Sequence, residues 1–211
     1  MHLLPSQIEE YIQQHTSEEM EVLAQLNRQT NTDVLMPQML SGNVQGQFLQ
    51  MISQLLRPSR VLEIGTYTGY SAICLAQGLA ENGQLVTIDI NEELEDMVRS
   101  FFDKAGLQDK IKYIIGNATE VIKKLDESWD LVFIDADKQN YSTYYHLVID
   151  KVRSGGFVLA DNVLWSGRIT DVKKDKDTQK LAEFNQMVQQ DSRVDNVIVS
   201  IRDGIMMIRK K

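Results

Sequence analysis

Cysteine is almost missing from this sequence: Cys74 stands alone among 211 residues, so the chain cannot close a disulfide on itself. That excludes a disulfide-stapled secreted scaffold and fits a reducing, cytoplasmic setting. Cys74 sits among Ile73, Leu75 and Ala76, where a packed core thiol is the expectation. Histidine is scarce too. His2, His15 and His146 have no ligand spacing, which leaves no basis for a zinc site. No apolar run approaches the length needed to cross a bilayer, and the opening stretch MHLLPSQIEEYIQQH lacks the basic start and apolar core of a signal peptide. Basic residues are outnumbered 22 to 30, for a net charge of -8. A broad basic surface for phosphate backbones is therefore absent, and a nucleic-acid partner is disfavoured without being excluded.

What remains is ordinary globular composition with a clear internal order. Pro5 to His15 and Ser17 to about Asn31 place apolar residues at helical spacing, with Ser17 as the expected N-cap of the second helix. After Met36-Pro37 the pattern resumes from Phe48 to Leu56 and stops at Pro58. From Ser59 the grammar changes to short β-rich runs, at Arg60–Ile64, Leu85–Ile88, Ile111–Ile115, Leu131–Ile134 and Gly156–Ala160. Helical segments fall between them, at about Tyr70–Ala80, Glu92–Ala105, Ala118–Lys124 and Asn140–Lys151. Runs such as Leu131–Ile134 lack alternation, as parallel strands covered on both faces do. A further helix at Thr178–Gln190 precedes Val194–Ile201 and Ile205–Ile208, with Asp203-Gly204 between these last two as a hairpin turn. The predicted architecture is a Rossmann-like, doubly wound α/β sheet of about seven strands. It is mostly parallel, ends in an antiparallel hairpin and carries N-terminal helices. Residues 1–57 would form a helical layer on a core of 59–211, all in one domain.

Ligands of such sheets bind outside the carboxyl ends of the strands, where strand order reverses. The first strand runs into Glu63-Ile64-Gly65-Thr66-Tyr67-Thr68-Gly69-Tyr70-Ser71. A dinucleotide loop needs glycine at 65, 67 and 70, and two of those are tyrosine, so a dehydrogenase is excluded on this fingerprint. Glu63, just before the turn, would repel a pyrophosphate and suits a cationic ligand. Asp89, ending the second strand, can accept hydrogen bonds from a ribose, or else cap the helix that follows. S-adenosylmethionine combines a ribose, an amine and a sulfonium with no phosphate, and it fits the pair.

The fourth strand ends in Asp135-Ala136-Asp137-Lys138 and the fifth in Asp161-Asn162. If these strands are neighbours, Asp135, Asp161 and Asn162 converge as a hard oxygen site for a divalent cation: Mg²⁺ first, with Mn²⁺ or Ca²⁺ as alternatives. Taken singly, Asp137 reads equally well as a helix cap and Asp161-Asn162 as a turn. Lys138, three residues past Asp135, would reach the same cleft. A cation beside it would lower its pKa and make it a general base.

Together these motifs resemble the cation-dependent O-methyltransferases, the group containing caffeoyl-CoA O-methyltransferases and catechol O-methyltransferase. The likeness runs from about Met39 to Gly204 and rests on Gly46-Gln47-Phe48-Leu49, on the Leu62–Ser71 loop and on Asp135-Ala136-Asp137-Lys138. It is completed by Asn140-Tyr141 and by Asp161-Asn162-Val163-Leu164-Trp165-Ser166-Gly167. The resemblance implies metal ligands at Asp135, Asp161 and Asn162, and a catalytic base at Lys138. It places Ser41, Glu63, Gly65, Thr66, Ser71, Asp89, Ala118 and Asp135 at cofactor-contacting positions, and Trp165 and Lys138 against the substrate. It further implies a homodimer and a small catechol-like acceptor bearing vicinal hydroxyls.

Two stretches depart from that pattern. Asp195-Asn196-Val197-Ile198 puts an apolar residue where the catechol enzyme has a late carboxylate, and the charged segment 167–177 lacks the tyrosines of plant members. Two rival readings accompany the first: methylation of a hydroxylated uridine in transfer RNA, which the acidic balance opposes, and a non-catalytic S-adenosylmethionine-binding protein.

Overall fold

Strands without polar alternation have two faces to cover, and in the computed structural model, which describes residues 4–211, both are covered. Seven strands are present: β1 Arg60–Ile64, β2 Gln84–Asp89, β3 Ile111–Ile115, β4 Trp129–Ile134, β5 Val152–Ala160, β6 Val194–Val199 and β7 Ile205–Lys210. Their order is β3-β2-β1-β4-β5-β7-β6. The first five run parallel, and β7 inserts antiparallel between β5 and β6. Successive residues of β4 feed opposite cores. Val132 and Ile134 pack with Tyr145 and Phe184 on one face, while Leu131 and Phe133 pack with Ile73 and Phe101 on the other.

The helices are α1 Ser6–Gln14, α2 Glu21–Asp33, α3 Gly42–Leu56, α4 Tyr70–Ala76, α5 Glu95–Lys104, α6 Ala118–Lys124, α7 Tyr141–Ile149 and α8 Lys176–Gln190. Three bounds correct the sequence expectation. Ser17 caps nothing: α2 starts at Glu21 without a side-chain cap, and residues 17–18 instead lend their carbonyls to Asn43 and Gln47 of α3. The third helix begins at Gly42, six residues ahead of Phe48. The fourth ends at Ala76 rather than Ala80, because the chain beyond it presses on α3. A Cβ on Gly78 would lie 2.2 Å from the Ser53 carbonyl carbon. His2 falls outside the described residues, and no helix among those described is long and apolar enough to cross a membrane.

Strand order reverses between β1 and β4, and there the four central strands stop together. Ile64 pairs with both Ile88 and Ile134, and Ile134 pairs with Ala160. The ladder runs one residue further through Gly65 N–H to Ile88 O, Asp135 N–H to Ile64 O and Asp161 N–H to Ile134 O, each at 2.9 Å. Gly65, Asp89, Asp135 and Asp161 are therefore released side by side along one sheet edge. Gly65 has φ +100°, and a Cβ there would lie 1.9 Å from the Asp135 carbonyl oxygen.

Gly65→Ala is accordingly expected to cost more than about 3 kcal/mol, by strained φ and backbone collision together. Gly106, at φ +67° with open space around it, should lose only about 1 kcal/mol on the same change. Urea unfolding of the two variants decides the matter, and equal losses would remove the argument for close approach.

Candidate active site

Above this edge lies a cleft of about 1740 Å³. Of the site residues read from the sequence, all but Glu63 line it. Ser41 and Ala118 stand at the starts of α3 and α6, while Gly65 and Thr66 come from the β1–α4 loop and Ser71 from the first turn of α4. Asp89 follows from β2; Asp135 and Lys138 lie beyond β4; Asp161, Asn162 and Trp165 lie beyond β5.

Asp89 does two jobs with one carboxylate. Oδ2 accepts the Tyr67 N–H at 2.7 Å, and Oδ1 accepts the Asn91 N–H at 2.9 Å. The cap of the following turn is Asn91, whose side chain accepts from Glu93 N–H, so Asp89 is free of that task. Thr66 is held by a 2.6 Å hydroxyl contact with Thr87. Beneath this loop Glu63 is fully buried and takes a hydrogen bond from the Thr87 hydroxyl through Oε2, while Oε1 has no partner. Burial pushes its carboxyl up to about 8, against the pull of the Ser71 and Thr87 hydroxyls. The structure thus places Glu63 under the cleft rather than in its wall.

The condition set by the sequence for the oxygen cluster is met: β4 and β5 are paired neighbours. The Lys138 ammonium donates to Asn162 Oδ1 at 2.6 Å, to the Tyr141 hydroxyl at 2.8 Å and to Asp135 Oδ1 at 3.1 Å. Burial lowers the Lys138 pKa, but Tyr141 and Asp135 override it, and the group is held well above its ordinary value. The reason is positional: the ammonium itself lies against two of the three oxygen groups and serves as their cation. Asp161, 2% exposed, accepts Gln45 Nε2 at 2.6 Å and the Asn162 N–H at 2.7 Å. Burial and the neighbouring Asp135 push its carboxyl up. Asp137 donates no cap either; its carboxylate takes hydrogen bonds from the Tyr144 hydroxyl and Asn140.

No group of three or more His, Cys, Asp or Glu side chains arranged for a metal occurs among the described residues. The set here has two carboxylates and depends on the Asn162 amide as third donor. Its chemistry fits a hard divalent cation, and the ammonium resting on it marks the spot as one that accepts positive charge.

Several participants had no role in the site assigned from the sequence. Gln45 orients Asp161 from α3; at 1% exposed it is a polar residue on the face that carries Leu49 and Ser53, and that placement was its one readable signal. Tyr141 anchors Lys138 and donates to the Asp161 carbonyl at 3.0 Å. Arg202 Nη1 reaches back to the carbonyls of Leu40, at 2.8 Å, and Ser41. Asp203 takes the Ser166 N–H and lines the cleft. Val197 and Ile198, where the sequence departs from the catechol enzyme's pattern, are exposed on β6.

Trp165 belongs to a run of left-handed backbone, with φ +58° at Asn162, +47° at Trp165, +55° at Ser166 and +78° at Gly167. Such strain persists only where surroundings over-determine it, as they do at ligand sites. The indole has Lys138 at 5.7 Å and Arg168 at 5.2 Å from its ring, and its Nε1 is buried without a partner.

This arrangement has counterparts among known proteins. The model of the O-methyltransferase family matches residues 13–211. Caffeoyl-CoA O-methyltransferase 1 of Nicotiana tabacum is 34% identical over 180 residues, covering 79% of this chain and 75% of its own. An O-methyltransferase from Bacillus cereus, solved in complex with SAH, superposes with a TM-score of 0.87 at 29% identity over 97% of each chain. A SAH-bound methyltransferase from Podospora anserina reaches a TM-score of 0.90 at 26% identity, covering 99% of this chain and 98% of its own. The chain belongs to the O-methyltransferase family.

Proposed function

We propose that this protein transfers the methyl group of S-adenosylmethionine to one hydroxyl of a small acceptor bearing two adjacent hydroxyls, with a divalent cation held by Asp135, Asp161 and Asn162. One observation carries the reading: the Gly65–Asp89 loop edge and the three-oxygen cluster open into the same cleft, one strand interval apart. The related structures from Bacillus cereus and Podospora anserina hold the demethylated donor, SAH, in their own sites.

Each residue then has a task. Each Asp89 oxygen is occupied by only one backbone N–H and keeps capacity for a ribose hydroxyl. Gly65 lets the donor approach the backbone, and Ser41, Thr66, Ser71 and Ala118 shape the wall around it. Glu63, buried below the loop with its carboxyl raised to about 8, ionises more readily once a positively charged ligand sits above it. A divalent cation supplies Lewis acidity, lowering the pKa of an acceptor hydroxyl. To take that hydroxyl's proton at Nζ, Lys138 must first release its own ammonium proton to solvent, which requires its present contacts with Asp135 and Asn162 to be relieved. The acceptor oxygen bonds to the methyl carbon as the carbon–sulfur bond breaks, and Trp165 supports the acceptor ring. Holding donor and acceptor in one cleft supplies much of the rate by orientation.

Two measurements test this assignment. Asp161→Asn keeps the shape and removes the charge. It should weaken Mn²⁺ binding, read by electron paramagnetic resonance, about tenfold or more and abolish methyl transfer to a catechol, while the S-adenosylmethionine Kd by calorimetry stays within about twofold. Gln45→Met, which cannot donate to Asp161, should shift Mn²⁺ affinity the same way by a smaller factor. Undiminished Mn²⁺ binding in Asp161→Asn rejects the cation site.

The second concerns Glu63. Its folded pKa of about 8 lies above the ordinary 4.5, so the unfolded chain releases this proton first and the fold loses stability as pH climbs between those values. Glu63→Gln escapes that loss. Its melting temperature should gain on the native protein from pH 5 to pH 8 by about 3 °C or more and then level off. Saturating S-adenosylmethionine should narrow the gap, since a cationic ligand favours the ionised carboxylate. A gap that is flat with pH would contradict the burial argument.

A further inference from the structure

The Nicotiana tabacum relative named above acts on a coenzyme A thioester by name, an acceptor that carries several phosphate charges. The charge of this cleft is of the same sign. Among its described lining residues are eight carboxylates and two cations, Lys138 and Arg202. Both cations are already engaged. Lys138 is bound by Asp135, Asn162 and Tyr141, and Arg202 by the carbonyls of Leu40 and Ser41. Three of the carboxylates lie away from both the donor loop and the oxygen cluster's ligands: Asp33 at the end of α2, Asp137 before α7, and Asp203 in the β6–β7 turn. They converge on the cleft from three separate elements.

The segment 167–177 does not reverse this balance. It holds four basic and three acidic residues, and none of the eleven lines the cleft. Arg168 is paired with Asp175 at 2.7 Å, and Lys174 donates to the Asp171 carbonyl. A phosphate or carboxylate entering the cleft meets one ammonium already paired with Asp135 and one guanidinium, Arg202, whose Nη1 is taken by backbone carbonyls, against the larger number of carboxylates. It is also repelled by low-dielectric walls that focus the field. Anion recognition normally requires Arg or Lys offering free donors. A divalent cation and a singly cationic donor reduce the negative potential but leave its sign unchanged.

We propose that the acceptor is an uncharged or amine-bearing vicinal diol, favoured over carboxylate and coenzyme A thioester acceptors by the charge of the cleft walls. The proposal rests on the methyl-transfer reading above and adds to it the charge class of the substrate.

The test uses one 3,4-dihydroxyphenyl ring with four side chains: an ethylamine, a methyl ester, a free carboxylate and a coenzyme A thioester. Values of kcat/KM are measured with saturating S-adenosylmethionine and Mg²⁺. The expected order is amine, ester, carboxylate, thioester, with the amine about tenfold or more ahead of the carboxylate at low salt and the ratio shrinking near 0.5 M salt. Asp33→Lys, outside the donor and metal positions, should raise kcat/KM for the carboxylate and lower it for the amine through KM, with the S-adenosylmethionine Kd unmoved. A carboxylate or thioester that matches or beats the amine overturns the charge assignment, and so does a preference indifferent to both salt and Asp33→Lys. Turnover of none of the four overturns instead the vicinal-diol reading beneath it, a separate outcome.

Discussion

The approach of Gly65 to the Asp135 carbonyl is the constraint on which the site depends. At the reversal of strand order, a missing Cβ lets two strands end shoulder to shoulder. The ladder hydrogen bonds of Gly65, Asp135 and Asp161 then set the side chains leaving the strands at one strand spacing from each other. A donor loop and an oxygen cluster built on separate strands thereby become one cleft. Neither would have a defined distance from the other if the loop were pushed outward.

Charge within that cleft is balanced locally. Two acidic strand ends side by side would repel, and the Lys138 ammonium settles between Asp135 and Asn162 to offset them. Around it, a shell of polar groups fixes orientation. Tyr141 holds the ammonium from below, Gln45 holds Asp161 from α3, and Asp203 holds the loop that carries Trp165. Groups bound this way keep their geometry before any ligand arrives, which spares a reaction the cost of arranging them.

The legible part of this architecture was whatever depends on local pattern. Leu131–Ile134 read as a strand because four apolar residues without alternation suit a strand buried on both faces, and Ile111–Ile115 and Ala118–Lys124 were read at their observed bounds. Asp135, Asp161 and Asn162 were identified as strand-end residues, and pairing of β4 with β5 supplied the adjacency they needed. Helix ends were less legible, because the segments flanking them answer to distant partners. Ser17 has the chemistry of a cap yet lies where the chain packs on α3, and Gly78 stops α4 early to clear Ser53. Gln45, Arg202 and Asp203 escaped notice for the same reason. Each acts across more than 30 residues of sequence, and nothing in its own neighbourhood announces the partner. The contact of Lys138 with Asn162 is likewise a tertiary fact that local pattern does not carry.

The last hairpin has a bearing on synthesis. Val163 and Leu164 hydrogen-bond to the carbonyls of Gly204 and Asp203, and β7 fills the space between β5 and β6. As the chain leaves the ribosome, β1 to β5 can pair while β5 still presents a bare edge. The Asn162–Gly167 turn cannot hold its left-handed backbone until residues 203–204 arrive to brace it. During that interval the nascent chain has a nearly complete sheet, no assembled cleft and one exposed strand open to the wrong neighbour.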